Sequence, residues 1–68
     1  MSNTLHKNDP DDVFGVDAVS RTVDYDKHLK HYVVTCLFGG ERELIVFETH
    51  ADATKFVKNC LANGSDEY

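Results

Sequence analysis

The residues best able to do chemistry in this sequence are its histidines and cysteines. Zinc sites use these residue types, usually as four ligands at recognisable spacing, and a cysteine nucleophile needs an exposed thiolate beside a base. His28 and His31 flank the start of a predicted strand rather than sharing a helical face, and His50 lies elsewhere. Cys36 and Cys60 fall at apolar periodic positions, which favour core packing. We therefore expect no catalytic residue, no metal and no cofactor.

Carboxylates are the other candidate groups, because the chain has 12 Asp and Glu against 7 Lys and Arg, a net charge of -5. Such a chain repels nucleic acid and anionic membranes and is attracted to basic surfaces. None of the acidic pairs lies where water would be excluded, so we expect no acid–base catalysis. Spaced carboxylates on a small scaffold can instead imitate the phosphates of a nucleic acid. The predicted partner-binding residues are Asp11, Asp12, Asp17, Asp24, Asp26, Glu41 and Glu43.

The length of 68 residues allows one domain with a minimal core. A core of this size rarely encloses a pocket with several converging polar groups, which favours a non-enzymatic binding protein. Two cysteines are too few for a disulfide scaffold. The polar N-terminus does not resemble a signal peptide, and no apolar run is long enough to span a bilayer. We expect a cytoplasmic location, which would be the host cytoplasm for a phage-encoded protein.

The composition divides the chain into three parts. Residues 1–12 are predicted to be a mobile acidic arm, residues 13–64 a single ββ(β)α domain, and residues 65–68 an acidic tail. Within the domain, residues 13–19 are consistent with either a short helical turn or an extended stretch. Residues 19–25 alternate with a period of two, which predicts a half-buried strand.

A β-hairpin is the clearest structural signal. His31–Phe38 and Arg42–Glu48 are rich in β-branched and aromatic residues, and Gly39-Gly40 between them supplies a tight turn. With a two-residue loop Phe38 faces Glu41, and both faces of the hairpin are then apolar. One face carries Tyr32, Val34, Cys36, Phe38, Ile45 and Phe47, and the other Val33, Thr35, Leu37, Leu44 and Val46. Each face must therefore pack against another element or another chain.

An amphipathic helix follows and can cover one of these faces. Thr49 is a good N-cap, Asp52 lies three residues later, and Asn63-Gly64 ends the helix. Its apolar stripe consists of Ala53, Phe56, Val57, Cys60 and Leu61. The other sheet face requires residues 13–19 or a second copy of the chain. In the second case the chain would form a homodimer through Val33, Leu37, Leu44 and Val46.

Residues 30–62 or so resemble the small inhibitors that bacteriophages make against host proteins, such as the podovirus inhibitor of bacterial RNA polymerase. The shared features are a polar N-terminus beginning Met-Ser-Asn, the aromatic and β-branched hairpin, and the junction from Glu48-Thr49 through Asp52-Ala53 into the helix. The resemblance implies a very small protein that docks on a host machine and blocks it. This chain has no Trp, a departure from that inhibitor, and no binding residue is carried over.

The predicted fold is α+β, with a small antiparallel sheet of two or three strands and one C-terminal helix packed on one face. The leading functional hypothesis is an acidic inhibitor or regulator of a basic, nucleic-acid-binding protein partner, such as a DNA-binding protein or RNA polymerase. It would act as a DNA mimic, without itself binding nucleic acid or membrane. The alternative is a dimerising interaction module that uses the apolar sheet face.

Overall fold

The structure is a computed structural model and describes residues 5–7, 9–11 and 13–68. This part of the chain forms six strands and one helix. The elements in chain order are β1 (Leu5–Lys7), β2 (Ala18–Val19), β3 (Asp24–Asp26), β4 (His31–Phe38), β5 (Glu41–Phe47), α1 (His50–Ala62) and β6 (Asp66–Glu67). The fold is α+β, as predicted, with one mixed sheet and a helix near the C-terminus.

The sheet is larger than the two or three strands that were predicted. The strand order is β1-β5-β4-β2-β6. β3 also pairs with β4, on the same side of β4 as β2. The predicted hairpin lies at its centre, with Phe38 paired to Glu41. Gly39 and Gly40 have φ values of +57° and +86°, which is the backbone of a type I′ turn. The turn type and the pairing register therefore agree with the sequence prediction.

The strand predicted for residues 19–25 is interrupted. β2 pairs Val19 with Cys36, and β3 pairs Asp24 with Val33. Residues 20–23 thus stand opposite residues 34 and 35 only, so the ladder contains a bulge. The Ser20 side chain stabilises it by accepting a hydrogen bond from the backbone N–H of Thr22 at 3.1 Å.

Short edge strands lie within the two segments that were predicted to be an N-terminal arm and a C-terminal tail. β1 lies within residues 1–12 and pairs parallel with β5, while β6 lies within residues 65–68 and pairs parallel with β2. These short segments satisfy backbone groups that β5 and β2 would otherwise leave unpaired at the edges of the sheet. Residues 13–19 are not a helix, because they form a turn and then β2.

Helix α1 begins and ends at the predicted caps. The Thr49 side chain accepts a hydrogen bond from the backbone N–H of Asp52 at 3.1 Å, as an N-cap does. At the other end the backbone N–H of Ser65 donates to the carbonyl of Cys60 at 3.0 Å, and the backbone N–H of Gly64 donates to the carbonyl of Leu61 at 3.2 Å. With φ of +101° at Gly64, these bonds form a Schellman motif.

The core lies between α1 and the sheet face that carries Cys36. Phe47 on β5 and Phe56 on α1 are at most 2% exposed, and their ring centroids lie 5.1 Å apart. The buried cluster consists of Val16, Val19, Val34, Cys36, Ile45, Phe47, Ala53, Phe56, Val57 and Cys60. The predicted helix stripe therefore faces the sheet, and only Leu61 of that stripe remains partly exposed.

Candidate functional site

The predicted acidic residues do not form one surface, and the first of them lies beside the helix. Asp11 accepts a hydrogen bond from the side-chain amide of Asn59 at 3.2 Å. Its carboxylate also lies 3.5 Å from the ammonium of Lys55. Asp11 therefore holds its segment against α1, and its charge is partly compensated. Asp12 lies outside the described residues.

A second group lies at the end of the sheet where β3 meets β4. Asp24 is exposed, and the carboxylate of Asp26 accepts a hydrogen bond from the backbone N–H of His28 at 2.8 Å. Asp26 thus shapes the turn between the two strands, a local role typical of Asp. Lys27 and Lys30 are exposed in the same turn, so this end of the molecule is close to neutral.

The third group lies at the opposite end, around the hairpin turn. Asp17 is held there because its backbone N–H donates to the carbonyl of Leu37 at 2.8 Å. Glu41 is the first residue of β5, and Glu43 follows two positions later on the same face of the strand. The backbone N–H of Asp66 donates to the carbonyl of Asp17 at 2.9 Å, which brings β6 to this end of the sheet. Its register with Ala18 places Asp66 on the sheet face opposite α1, whereas Glu43, paired with Cys36, lies on the α1 face.

We call the set of Asp17, Glu41, Glu43 and Asp66 the acidic end. Of these, Asp17, Glu41 and Asp66 are exposed and Glu43 is half-buried. Along β4, the positions paired with Glu43 and Glu41 lie three and five residues from the position paired with Asp24, or about 10 and 17 Å at roughly 3.3 Å per residue. Asp66 was missed by the sequence reasoning, because a two-residue polar strand has no periodic signal and its neighbours are set by parallel pairing with β2.

The predicted dimer face is the sheet face opposite α1. Val33 and Val46 are adjacent across the hairpin and only 9% and 8% exposed in a single copy. Leu37 and Leu44 are half-buried. The structure thus places all four residues on the predicted face, but two of them are already largely covered within one chain.

Both thiols lie in the core. Cys36 and Cys60 are unpaired and have no exposed surface. Burial, the nearby Cys60 and then Glu43 raise the pKa of the Cys36 thiol to about 12. Burial raises the pKa of the Cys60 thiol to about 11. Neither side chain has the accessible, readily ionised thiol that a nucleophile requires.

The histidines outside β1 make local contacts. The ring Nδ1 of His31 lies 2.6 Å from the carbonyl oxygen of Leu29, and the ring of His50 packs edge-on against Tyr32 with centroids 5.5 Å apart. Within the described ranges, no group of three or more His, Cys, Asp or Glu side chains is placed to hold a metal ion. Nor does this part of the chain contain a helix long and apolar enough to cross a membrane.

Two concavities border the helix. An open depression of about 460 Å³ lies along α1 and is lined, among the described residues, by His50, Ala51, Thr54, Lys55, Lys58 and Asn59. Ligand sites usually converge from several elements, whereas this lining comes from one. A smaller groove of about 180 Å³ separates α1 from the bulge, with Arg21, Val23, Thr54, Val57, Lys58 and Leu61 around it. Neither contains a thiol.

No protein-family model matches this sequence, and no curated protein or solved structure is significantly similar to it.

Proposed function

We propose that this protein is a non-enzymatic binding protein that inhibits or regulates a basic, nucleic-acid-binding partner protein in the cytoplasm. The observation that supports this proposal is the acidic end. There the fold places four acidic residues that are far apart in sequence, at positions 17, 41, 43 and 66, toward the hairpin end of the sheet. An acidic surface of this kind engages positively charged surfaces, and nucleic-acid-binding grooves are among the most basic surfaces of proteins.

The rigidity of the acidic end favours binding over simple solubilisation. Asp17 and Asp66 are tied to each other and to β4 by backbone hydrogen bonds, so their separation is set by the sheet. A fixed backbone limits where exposed carboxylates can lie, so their spacing can match that of the cations that contact phosphates. A net charge of -5 on a chain of 68 residues also steers encounters toward basic proteins. We infer that the acidic end occupies the partner's nucleic-acid site as a mimic of nucleic acid.

The resemblance to phage inhibitors supports the same class of function. It implies a small protein that blocks a host machine, for which RNA polymerase or another DNA-binding protein supplies the required basic groove. The acidic end lies at the hairpin turn, away from the turn that carries Lys27 and Lys30, so the partner would approach along the strands.

The test is affinity capture from a bacterial lysate with the full chain as bait, followed by binding measurements on the captured partner. We expect binding to weaken strongly between about 50 and 500 mM salt, because exposed charge contacts are screened. We expect Glu41→Lys and Asp66→Lys to weaken it as well. Asp24→Lys is the matched control, since it makes the same charge change at an exposed position of the other end.

Competition with duplex DNA then separates mimicry from other acidic contacts. A DNA mimic and DNA must exclude each other from the partner. Binding that is insensitive to salt, or that Asp24→Lys weakens as much as Glu41→Lys, would contradict the proposal.

A further inference from the structure

Phe14 is the most exposed large apolar side chain in the described part of the protein, with 91% of its surface accessible. It lies in a turn closed by a hydrogen bond from Val16 N–H to the Val13 carbonyl, at 3.4 Å. Gly15 has φ of +84°, the conformation that a type II turn requires at its third position. Phe14 is therefore the second residue of a defined turn.

The flanks of this turn are fixed. Val16 is 8% exposed and belongs to the core, and Val13 packs against the core from its edge. The Val16 carbonyl accepts a hydrogen bond from the Ser65 hydroxyl at 2.7 Å. The backbone thus presents the Phe14 ring to solvent in a set position. Rigidly presented aromatic side chains are the usual anchors of protein interfaces, because little conformational entropy is lost when they bind.

The groove beside α1 has the complementary character. Its apolar lining is Val23, Val57 and Leu61, and the cationic side chains of Arg21 and Lys58 border it. Arg21 forms an exposed ion pair with Glu67 at 3.2 Å. Lys58 forms no ion pair within the described residues. The groove therefore suits an apolar group that arrives with negative charge beside it.

Phe14 brings such charge mainly through Asp17, three residues after it, whose exposed carboxylate accepts a hydrogen bond from the Gly39 N–H but pairs with no cation among the described residues. Asp11, three residues before Phe14, already lies beside Lys55 of its own chain. The Phe14 ring does not fill the groove of its own chain, since it is almost fully exposed. We propose that Phe14 of one copy inserts into the groove of a second copy. The acidic loop around Phe14 then faces Arg21 and Lys58 of that copy.

The contact is head to tail, because the projecting ring and the groove are different surfaces of each chain. Such contacts propagate into open chains or close into rings, and each copy retains one unused surface until the assembly closes. This assembly is distinct from a symmetric dimer through Val33 and Leu37. Its test is separate from that of the proposed function, since self-association requires no foreign partner, although Asp17 belongs to both surfaces.

Sedimentation equilibrium of the full chain at low salt, from micromolar to millimolar concentration, tests the proposal. We expect the mass to rise above the 7.7 kDa of a single chain as concentration increases. Phe14→Ala removes the ring, and Lys58→Glu opposes the acidic loop. Each should weaken self-association by about tenfold or more, the effect of losing an interface anchor. Tyr68→Ala and Lys27→Glu are controls, both at exposed positions outside the contact.

Mixing the two interface variants gives the decisive result. Phe14→Ala retains the groove and Lys58→Glu retains the ring, so an equimolar mixture should form a dimer although each variant alone stays monomeric. A wild-type chain that remains at 7.7 kDa at millimolar concentration would overturn the proposal. So would a dimer that Phe14→Ala leaves unchanged, or a mixture that fails to associate.

Discussion

The carboxylate of Asp17 accepts a hydrogen bond from the backbone N–H of Gly39, with 2.6 Å between Oδ2 and the nitrogen. This contact joins the strand β2 region to the hairpin turn, 22 residues further along the chain. A residue predicted to bind a partner thus also stabilises the turn that positions its acidic neighbours. Substitution of Asp17 in a binding assay would therefore change two properties at once, which is why Glu41 and Asp66 are the better probes.

We expect Asp17→Ala to lower the free energy of unfolding by about 1–2 kcal/mol, because a hydrogen bond to a charged acceptor is lost at an exposed site. Urea denaturation followed by circular dichroism measures this. Asp24→Ala is the control, since Asp24 is exposed and its change should stay within about 0.5 kcal/mol. Equal losses for the two variants would show that the bond to Gly39 contributes little.

The two glycines of the hairpin should respond differently to substitution. An added Cβ meets no atom within 4 Å at either Gly39 or Gly40, so only backbone strain matters. Asn tolerates positive φ and is favoured at the first position of a type I′ turn, so we expect Gly39→Asn to be nearly neutral. Gly40→Val should cost about 1–2 kcal/mol, the penalty of the left-handed region. Thermal denaturation of both variants checks the difference.

Two phenylalanines provide a matched test of the core. Phe56 has no exposed surface, whereas Phe14 is 91% exposed. Phe56→Ala should cost about 3–5 kcal/mol, which is a large part of the stability of a domain this small. Phe14→Ala should change the unfolding free energy of the monomer by less than about 0.5 kcal/mol. Chemical denaturation at low protein concentration, with dispersion of amide NMR signals as a second measure of folding, separates these outcomes.

The buried thiols predict a loss of stability at high pH. The pKa values of Cys36 and Cys60 are raised from 9.0 to about 12 and about 11, so the folded state retains protons that the unfolded state releases. This stabilising effect is complete below pH 9 and decreases as pH rises toward 11 and 12. Each thiol contributes a slope of about 1.4 kcal/mol per pH unit within its range.

Unfolding free energies measured from pH 8 to pH 11 check this expectation. In the variant Cys60→Ala the slope should be smaller, because only the Cys36 thiol then retains its proton in the folded state. A slope that is identical in the variant and the wild type would contradict the assignment to the thiols.

The sequence predicted the parts of the fold that local patterns encode. The hairpin register follows from Gly39-Gly40 and the β-branched strands, and the helix follows from its apolar stripe and its caps at Thr49 and Gly64. The short strands β1 and β6 were not predictable in this way. They are polar segments of three and two residues that pair with edges formed by distant parts of the chain.

The candidate surface was predicted only in part for the same reason. Charge composition identified acidic residues, but their grouping depends on which strand ends meet. Asp17 and Glu41 come together through β4, whereas Asp24 lies at the far end of the same strand. Phe14 was assigned to an apolar stretch that could cover the sheet. Phe14 is exposed because the chain turns at Gly15. The apolar sequence of this stretch is equally compatible with a buried segment, so it did not predict the exposure.

The outer strands β1 and β6 lie at opposite edges of the sheet, yet both run in the same direction as β5 and β2. A mechanical load that pulls on β1 from its start and on β6 from its end would therefore act along the strands. The backbone bonds that join β1 to β5 and β6 to β2 would bear this load together, in shear, instead of opening one at a time. The three residues of β1 and the two of β6 thus place both outermost strand pairs of the sheet under the same shear load.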